Sequence, residues 1–175
     1  MNQQETTATP NPFIIRPARE SDIAALMAMI RELAEYERLA DAVVASEADL
    51  HRALFGDSPA AEAIIAESAG GAAGFALFFR TYSTFVGRPG LWLEDLFVRP
   101  AFRRCGIGRA LFQRLVALAA ERDYGRMEWS VLDWNEPAIQ FYLSLGAKPN
   151  DEWTTYRMTP GAFGRLANGN VPGET

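Results

Sequence analysis

The most informative stretch of the sequence is LFVRPAFRRCGIGR, residues 96–109. It begins as an apolar run typical of a strand, breaks at Pro100, and passes through a basic turn to a Gly-x-Gly at residues 106–108, where a long helical pattern begins. Glycines let backbone N–H groups approach a ligand, and a helix start adds unpaired N–H groups with a positive dipole end. This order predicts an anion site, most simply for a diphosphate; a plain strand–helix turn is the alternative.

Positive charge is concentrated in the same region. The chain has 175 residues and a net charge of −5, yet residues 96–120 contain five arginines and no acid, so this window carries +5 and leaves −10 elsewhere. A cationic patch in an acidic protein suggests a bound anion, and the acidic remainder suits a cationic partner; a solvated helix face is the alternative. The net charge argues against nucleic acid as a partner. The five residues are Arg99, Arg103, Arg104, Arg109 and Arg114.

Composition is that of an ordinary globular protein, with 49% hydrophobic and 22% charged residues. One cysteine, Cys105, and one histidine, His51, exclude an internal disulfide, a cysteine zinc cluster and a multi-histidine site, so we expect no metal. No run approaches the roughly 18 apolar residues of a membrane helix, and the polar N-terminus lacks a signal core. We therefore expect a cytoplasmic protein without a membrane partner. One domain is predicted at residues 13–167, between a disordered tail at 1–12 and a flexible tail at 168–175.

Hydrophobic periodicity and turn residues predict alternating strands and helices, and hence an α/β fold with a mixed sheet. Strands are predicted at residues 13–16, 63–67, 73–82, 91–98, 126–132 and 153–158, with a turn at Gly87, Pro89 and Gly90. Helices are predicted from about 23 to 36, at 47–55 after Ser46, at 106–123 and from 136 to 145, with a last helical turn from Thr159 and Pro160.

A second informative stretch is NEPAIQFYLSLG, residues 135–146. Asn135 and Tyr142 are seven residues apart, or about two helical turns, so they share one helix face. Tyr142 has a phenol proton to offer. A buried tyrosine bonded to a backbone carbonyl is the alternative.

Two carboxylates, Glu94 and Asp95, interrupt the apolar strand LWLEDLFV, residues 91–98. Burying an unpaired carboxylate is costly, so each is paired with an arginine, placed at a strand end, or functional. Tyr36 and Glu37 end the first helix with a similar pairing of an aromatic ring and an acid, for which a solvated helix end is the alternative.

Two segments resemble the GNAT N-acetyltransferase superfamily. Residues 103–108, RRCGIG, match its acetyl-CoA loop, (Gln/Arg)-x-x-Gly-x-(Gly/Ala), and residues 135–146 match its second characteristic segment in the expected order. RELAEYE at 31–37, LED at 93–95 and VLDWNEP at 131–137 are most similar to the diamine N-acetyltransferases, which include the spermidine/spermine and thialysine enzymes. The resemblance covers residues 13–166. It implies a GNAT-like α/β fold, with a mixed, mostly antiparallel central sheet flanked by helices.

The resemblance also implies a role for each matching residue of the coenzyme side. The strand end would lend backbone groups to the pantetheine arm through Leu96, Phe97 and Val98. The loop would cradle the pyrophosphate of acetyl-CoA, mainly with backbone N–H groups, through Arg103, Arg104, Cys105, Gly106, Ile107, Gly108 and Arg109. Asn135 and Pro137 would contact the coenzyme, and Tyr142 would protonate the departing CoA thiolate. Cys105 occupies a variable position of the loop and is not expected to be a nucleophile.

On the acceptor side, the matching residues are Tyr36, Glu37, Glu94 and Asp95. An acidic residue expected after Gly146 corresponds to Asp151 or Glu152, in a loop that is shorter here than in the relatives. We expect Glu94, directly or through water, to accept the proton of an ammonium group, after which the amine attacks the thioester directly. The expected enzyme acetylates a small cationic amine, namely a polyamine, a diamine or a lysine analogue. The alternatives are another amine, such as an amino acid, an aminoglycoside or a protein lysine, and a non-catalytic acyl-CoA-binding module.

A homodimer is expected on the resemblance alone. The aromatic segments at residues 75–79 and 153–156 offer apolar surface for pairing, although core packing is the alternative use for most of these rings.

Overall fold

Residues 12–169 are described by a computed structural model of the chain. Within them the backbone forms two compact units, one up to Ser130 and one from Val131 onward. The tails predicted at 1–12 and 168–175 fall largely outside the described residues, and the single domain over 13–167 stays a prediction. No helix of the described part is long and apolar enough to cross a bilayer.

The first unit is built on a five-stranded sheet whose spatial order follows the chain. The strands are β1 (Phe13–Pro17), β2 (Glu62–Ser68), β3 (Gly71–Ser83), β4 (Arg88–Val98) and β5 (Met127–Trp129). Neighbours pair antiparallel except β4 and β5, which are parallel. A mixed, mostly antiparallel sheet was the predicted architecture, and it is confirmed.

Three helices flank this sheet: α1 (Ile23–Tyr36), α2 (Glu47–Phe55) and α3 (Ile107–Glu121). The start of α2 shows why the sequence signals were reliable here. Ser46 Oγ accepts a hydrogen bond of 3.2 Å from the Asp49 amide, and the Asp49 carboxylate accepts one of 3.0 Å from the Ser46 amide. This capping box satisfies two backbone donors that a helix start otherwise leaves unpaired.

The core of the first unit lies between α1 and the sheet. Leu26 and Met27 of α1 pack with Ile65 of β2 and Phe75 of β3, and all four are at most 1% exposed. Each large apolar side chain removed from water contributes about 1.5–3 kcal/mol. Phe75 and Phe78 are core residues, so they supply no surface for dimer pairing and the core alternative holds for them.

Two strand boundaries differ from the prediction. Pro89 and Gly90 were assigned to a turn, but both lie in β4, because the tight turn needs only the residues up to Gly87, whose φ of +70° completes it. β5 has three residues where seven were predicted, because it pairs with β4 only from Leu91 to Leu93.

The second unit contains α4 (Glu136–Ser144) and α5 (Pro160–Ala167). Gly146, with φ +87°, follows α4 as predicted. The strand predicted at 153–158 is wrong: these residues take no regular structure, and Trp153 and Tyr156 are largely exposed. Aromatic and β-branched residues favour a strand only where a neighbouring strand pairs with them, so strand propensity alone is not enough to form a strand at 153–158.

Candidate active site

A β-bulge lies at the two carboxylates of β4. Leu77 of β3 pairs with Asp95, but the next residue, Phe78, pairs with Leu93, so Glu94 is the extra residue. A bulge bends its strand and redirects side chains, and bulges are enriched next to active sites. The pairing of β4 with β5 also ends at Leu93, which pairs with Trp129. Beyond the bulge, the backbone of β4 therefore forms no hydrogen bonds with β5. An extended ligand that binds the backbone of Leu96–Val98 requires such an unpaired strand edge.

Two of the predicted acceptor-side carboxylates, Glu37 and Glu94, act on a third, Asp95. Asp95 is partly buried, and burial together with repulsion from Glu94 and Glu37 raises its pKa to about 6. Burial also raises the pKa of Glu37, which follows the last residue of α1. Glu94 is exposed, and its Oε2 accepts a hydrogen bond of 2.8 Å from Trp92 Nε1. The bulge and the end of α1 thus build a carboxylate cluster of Glu37, Glu94 and Asp95, which attracts cations.

The coenzyme loop, residues 103–109, carries the features of an anion site. Arg104 and Gly106 both have positive φ, +63° and +83°, so the chain turns sharply just before α3. The first hydrogen bond of α3 runs from the Ala110 amide to the Gly106 carbonyl at 3.0 Å. The amides of residues 107–109 therefore have no acceptor within the helix. A Cβ on Gly106 would meet no heavy atom of the described chain within 4 Å, which leaves room for a diphosphate.

The five arginines of the basic window have different surroundings. Arg99 forks onto the Glu32 carboxylate, with Nε at 3.0 Å and Nη2 at 2.7 Å, and its Nη1 donates to the Ala72 carbonyl at 2.8 Å. Arg114 pairs with Glu121 at 2.8 Å. These two arginines have structural partners that the sequence did not reveal, since the acids lie far away in the chain or two turns along α3.

The remaining arginines belong to the loop itself. Arg103 donates from Nε to the Val98 carbonyl at 3.0 Å, and its guanidinium carbon lies 5.1 Å from the centroid of the Tyr36 ring. Arg104 and Arg109 are exposed, and within residues 12–169 neither forms an ion pair. Their side chains are therefore open to a ligand. Cys105 Sγ lies 3.6 Å from the Arg103 carbonyl oxygen.

The second unit contains the other predicted coenzyme residues. Asn135 is buried at the start of α4, where its Oδ1 accepts from the Ala138 amide at 3.4 Å, and Pro137 lies in the first turn. Tyr142 lies in the last turn, with its ring edge-on to Phe141 at a centroid distance of 5.2 Å. Asn135 is therefore a helix cap in addition to any role toward a ligand. Glu152 lies in an exposed turn.

No group of three or more histidine, cysteine, aspartate or glutamate residues in the described part of the chain is arranged to hold a metal ion.

Residues 26–147 match the profile of the Acetyltransferase (GNAT) family. This chain belongs to the GNAT acetyltransferase family. The match spans both segments from which the family was predicted, so the prediction is confirmed, and with it the enzyme class: the protein is an acetyl-CoA-dependent N-acetyltransferase. The room at the helix start and the free amides of residues 107–109 fit the diphosphate of the family's cosubstrate.

Several relatives are similar over most of this GNAT chain. The thialysine N-epsilon-acetyltransferase of Sus scrofa is 35% identical over 165 residues, covering 88% of this chain and 96% of the relative. The spermidine/spermine N(1)-acetyltransferase-like protein 1 of Homo sapiens is 34% identical over 155 residues, covering 83% of this chain and 22% of that longer protein. Among solved structures, an integron cassette protein from the mobile metagenome of V. cholerae superposes with a TM-score of 0.75 at 27% identity, covering 89% and 97% of the two chains.

Sequence reasoning missed two features of the GNAT site. The bulge at Glu94 left no local signal except the acidic pair itself, because strand register depends on pairing with residues elsewhere in the chain. The hydrogen bond from Trp92 to Glu94 was readable in principle, since residues two apart in a strand share a face.

Proposed function

We propose that this enzyme acetylates a primary amine of a small cationic acceptor: a lysine analogue, a diamine or a polyamine. The carboxylate cluster of Glu37, Glu94 and Asp95 carries the proposal, because an acid that two neighbouring acids repel suits an acceptor that keeps one cation while another amine reacts. The names of the thialysine and spermidine/spermine relatives support the same class of acceptor.

Amine activation follows from the same cluster. An alkylamine has a pKa near 10.4 and is mostly protonated at pH 7, so it must lose a proton before it can attack a thioester. In the proposed mechanism Glu94 accepts that proton, directly or through water, and the fixed contact with Trp92 Nε1 leaves its second carboxylate oxygen for this task. Asp95 and Glu37 hold the remaining cation, and Tyr36, which precedes Glu37 in the chain, is proposed as a further acceptor-side residue. Glu152 is proposed as a further acidic residue of the acceptor side.

On the coenzyme side, acetyl-CoA supplies the activated acetyl thioester. The loop at residues 103–109 holds its diphosphate in the proposed site, through the amides of residues 107–109, which have no acceptor within α3, and the side chains of Arg104 and Arg109 add charge. The Arg103 amide already donates to the Pro100 carbonyl at 3.2 Å. The strand end at 96–98 holds the pantetheine arm through backbone groups. Asn135 and Pro137 contact the coenzyme, and Tyr142 donates its phenol proton to the departing sulfur, two roles that rest on the resemblance of residues 135–146.

The test is thiol release from acetyl-CoA over a panel of amines, run beside a thermal-shift measurement with CoA. The decisive pair is cadaverine and 1-aminopentane, which have the same chain and the same reacting amine and differ in the second cation. We expect kcat/KM for cadaverine or thialysine to exceed that for 1-aminopentane at least about tenfold, or 1.4 kcal/mol. Equal values would refute an acceptor that is recognised through a second cation. Turnover confined to aminoglycosides or lysine peptides would favour the other acceptors of the family.

We also propose that the enzyme is a homodimer, on the resemblance alone, and that it is cytoplasmic, as its sequence without a signal core and with one free cysteine suggests. Trp153 and Tyr156 are largely exposed aromatic side chains and are available for such an interface. Light scattering across micromolar concentrations tests the assembly, and a mass near the 19.3 kDa of one chain would contradict it.

A further inference from the structure

One side chain of the coenzyme loop reaches both predicted sides of the reaction. Arg103 Nε donates to the carbonyl of Val98 at 3.0 Å, and the guanidinium carbon lies 5.1 Å from the Tyr36 ring centroid and 5.9 Å from that of Phe97. Phe97 and Val98 end the strand proposed to hold the pantetheine arm. Tyr36 ends α1 on the acceptor side. Arg103 therefore contacts the coenzyme strand and the acceptor helix at once.

The chemistry of these contacts is specific to arginine. A guanidinium is planar, so it can lie over an aromatic ring while its Nε donates a hydrogen bond in its own plane. An ammonium group offers no such fixed combination of ring contact and directed donor. The two anchors differ in mobility, since Phe97 is buried in the core whereas Tyr36 is partly exposed at a helix end. Arg103 thus links a strand residue that is buried in the core to a helix end that is partly exposed.

Tyr36 is followed directly by Glu37, whose charge acts on Asp95. A contact that holds Tyr36 therefore also restricts where the Glu37 carboxylate can lie. Arg104 and Arg109, by contrast, are exposed loop arginines, and neither is described with an aromatic contact of this kind within residues 12–169. Arg103 therefore contacts α1, whereas Arg104 and Arg109 remain available to bind an anion.

We propose that Arg103 is a positioning residue that couples the coenzyme loop to the acceptor side through the ring of Tyr36. The proposal rests on the proposed function of the loop as the CoA site. Coupling is reciprocal, so if bound CoA strengthens the contact between Arg103 and Tyr36, then loss of that contact weakens CoA binding by the same free energy. A residue on the acceptor helix then influences a ligand that it need not touch.

The experiment is a double-mutant cycle read by calorimetric titration of CoA, with no amine present. The cycle uses Arg103→Met, Tyr36→Leu and the double variant, each first shown to melt cooperatively. We expect each single variant to weaken CoA binding about three- to tenfold, and the double variant to be no weaker than the poorer single, since both remove one interaction. Tyr36→Phe, which keeps the ring, is the matched control and should bind CoA within about twofold of the wild type.

A second cycle separates coupling from the simple loss of charge. Arg109→Met also removes one cation from the loop but has no described contact with Tyr36, so its effect should multiply with that of Tyr36→Leu. Arg103→Lys keeps the charge and loses the Nε donor, so it should also weaken CoA binding.

CoA affinity that is unchanged in Tyr36→Leu, or losses that multiply in the Arg103 cycle, would overturn the proposal. A wild type that binds CoA but acetylates none of the amines would refute the acceptor class and leave these cycles interpretable. A wild type that fails to bind CoA would overturn the coenzyme site and the coupling together.

Discussion

Trp92 holds the carboxylate of Glu94 through a hydrogen bond of 2.8 Å from its indole Nε1 to Oε2. The two residues flank Leu93, the last residue of β4 that pairs with β5, and Glu94 is the extra residue of the bulge. The indole therefore fixes one oxygen of an exposed carboxylate. This carboxylate lies where the register between β3 and β4 shifts and the pairing of β4 with β5 ends. This relationship gives the proposed proton acceptor a defined orientation without burying it.

Glu94→Gln tests the proposed role of this carboxylate. Glutamine keeps the size and still offers an oxygen to the Trp92 indole, but it has no charge and accepts a proton poorly. We expect kcat/KM for the amine to fall about 10²–10⁴-fold, with KM for acetyl-CoA nearly unchanged. Steady-state kinetics with both substrates varied gives the two values.

Trp92→Phe is the companion variant, because it keeps the charge of Glu94 and removes only the donor. Its loss of kcat/KM should be smaller than that of Glu94→Gln. Wild-type amine kinetics in Glu94→Gln would remove Glu94 from the mechanism.

The titration of Asp95 predicts a pH dependence of stability. Burial, then repulsion from Glu94 and Glu37, raises its pKa from 3.8 to about 6. The folded pKa lies above the unfolded one, so between about pH 4 and 6 the unfolded chain loses this proton first, and the stability contributed by Asp95 falls as the pH rises. Asp95→Asn removes this penalty. Its advantage in unfolding free energy over the wild type should grow by about 1–2 kcal/mol from pH 4 to pH 7, allowing for solvent screening.

Asp49→Asn is the control of opposite sign. Hydrogen bonds from Ser46 hold the pKa of Asp49 below its ordinary value, so its charge contributes stability that is lost as the pH falls. Urea unfolding at several pH values compares the two variants. Parallel wild-type and Asp95→Asn curves from pH 4 to 7 would contradict the buried, repelled state of Asp95.

How far the sequence could predict this site depends on how local each feature is. The cap at Ser46, the glycine stop at Gly146 and the helix start after Gly106 depend on neighbouring residues, and all were predicted correctly. The bulge at Glu94 and the fork of Arg99 onto Glu32 depend on residues far away in the chain, and no local pattern indicated them. The wrong prediction of a strand at 153–158 has the same cause, because a strand forms only where a distant segment pairs with it.

Gly106→Ala tests the coenzyme loop. The φ of +83° costs an alanine about 1–2 kcal/mol, and the new methyl group would enter open space next to the free amides of α3. Gly87→Ala is matched, since its φ is +70° and its Cβ likewise meets no described atom within 4 Å, but it lies in the β3–β4 turn. Both variants should lose similar stability in urea unfolding. Only Gly106→Ala should weaken CoA binding, by about tenfold or more in calorimetry; equal CoA affinity in the two would remove the loop from the coenzyme site.

Arg99 and Arg114 provide a test of which arginines in the basic window are structural. Arg99→Met leaves the Glu32 carboxylate and the Ala72 carbonyl without their donor, so we expect a loss of about 1–3 kcal/mol in unfolding free energy. Arg114→Met removes the same charge from an exposed pair with Glu121 and should cost less than about 0.5 kcal/mol. Similar losses in the two variants would show that the fork of Arg99 adds nothing beyond its charge.

Tyr142→Phe tests the proposed general acid. The substitution keeps the ring and its edge-on contact with Phe141 and removes only the hydroxyl. If the phenol protonates the departing sulfur, kcat should fall about 10²–10⁴-fold while KM for acetyl-CoA changes little, because the lost interaction matters mainly as the thiolate leaves. The alkaline limb of the pH–rate profile, which reports the acid, should be lost as well.

The alternative role of Tyr142 makes a different prediction, which the same variant can distinguish. If Tyr142 only supports the packing of α4, the Tyr142→Phe enzyme should lose about 0.5–1.5 kcal/mol of stability for one hydrogen bond and should keep the wild-type kcat. Tyr156→Phe, at an exposed position of the same unit, is the matched control and should leave both kcat and the melting temperature unchanged. A folded, CoA-binding Tyr142→Phe enzyme with the wild-type rate on its best amine would assign the hydroxyl to structure, and the proton for the leaving thiolate would then have to come from another group or from water.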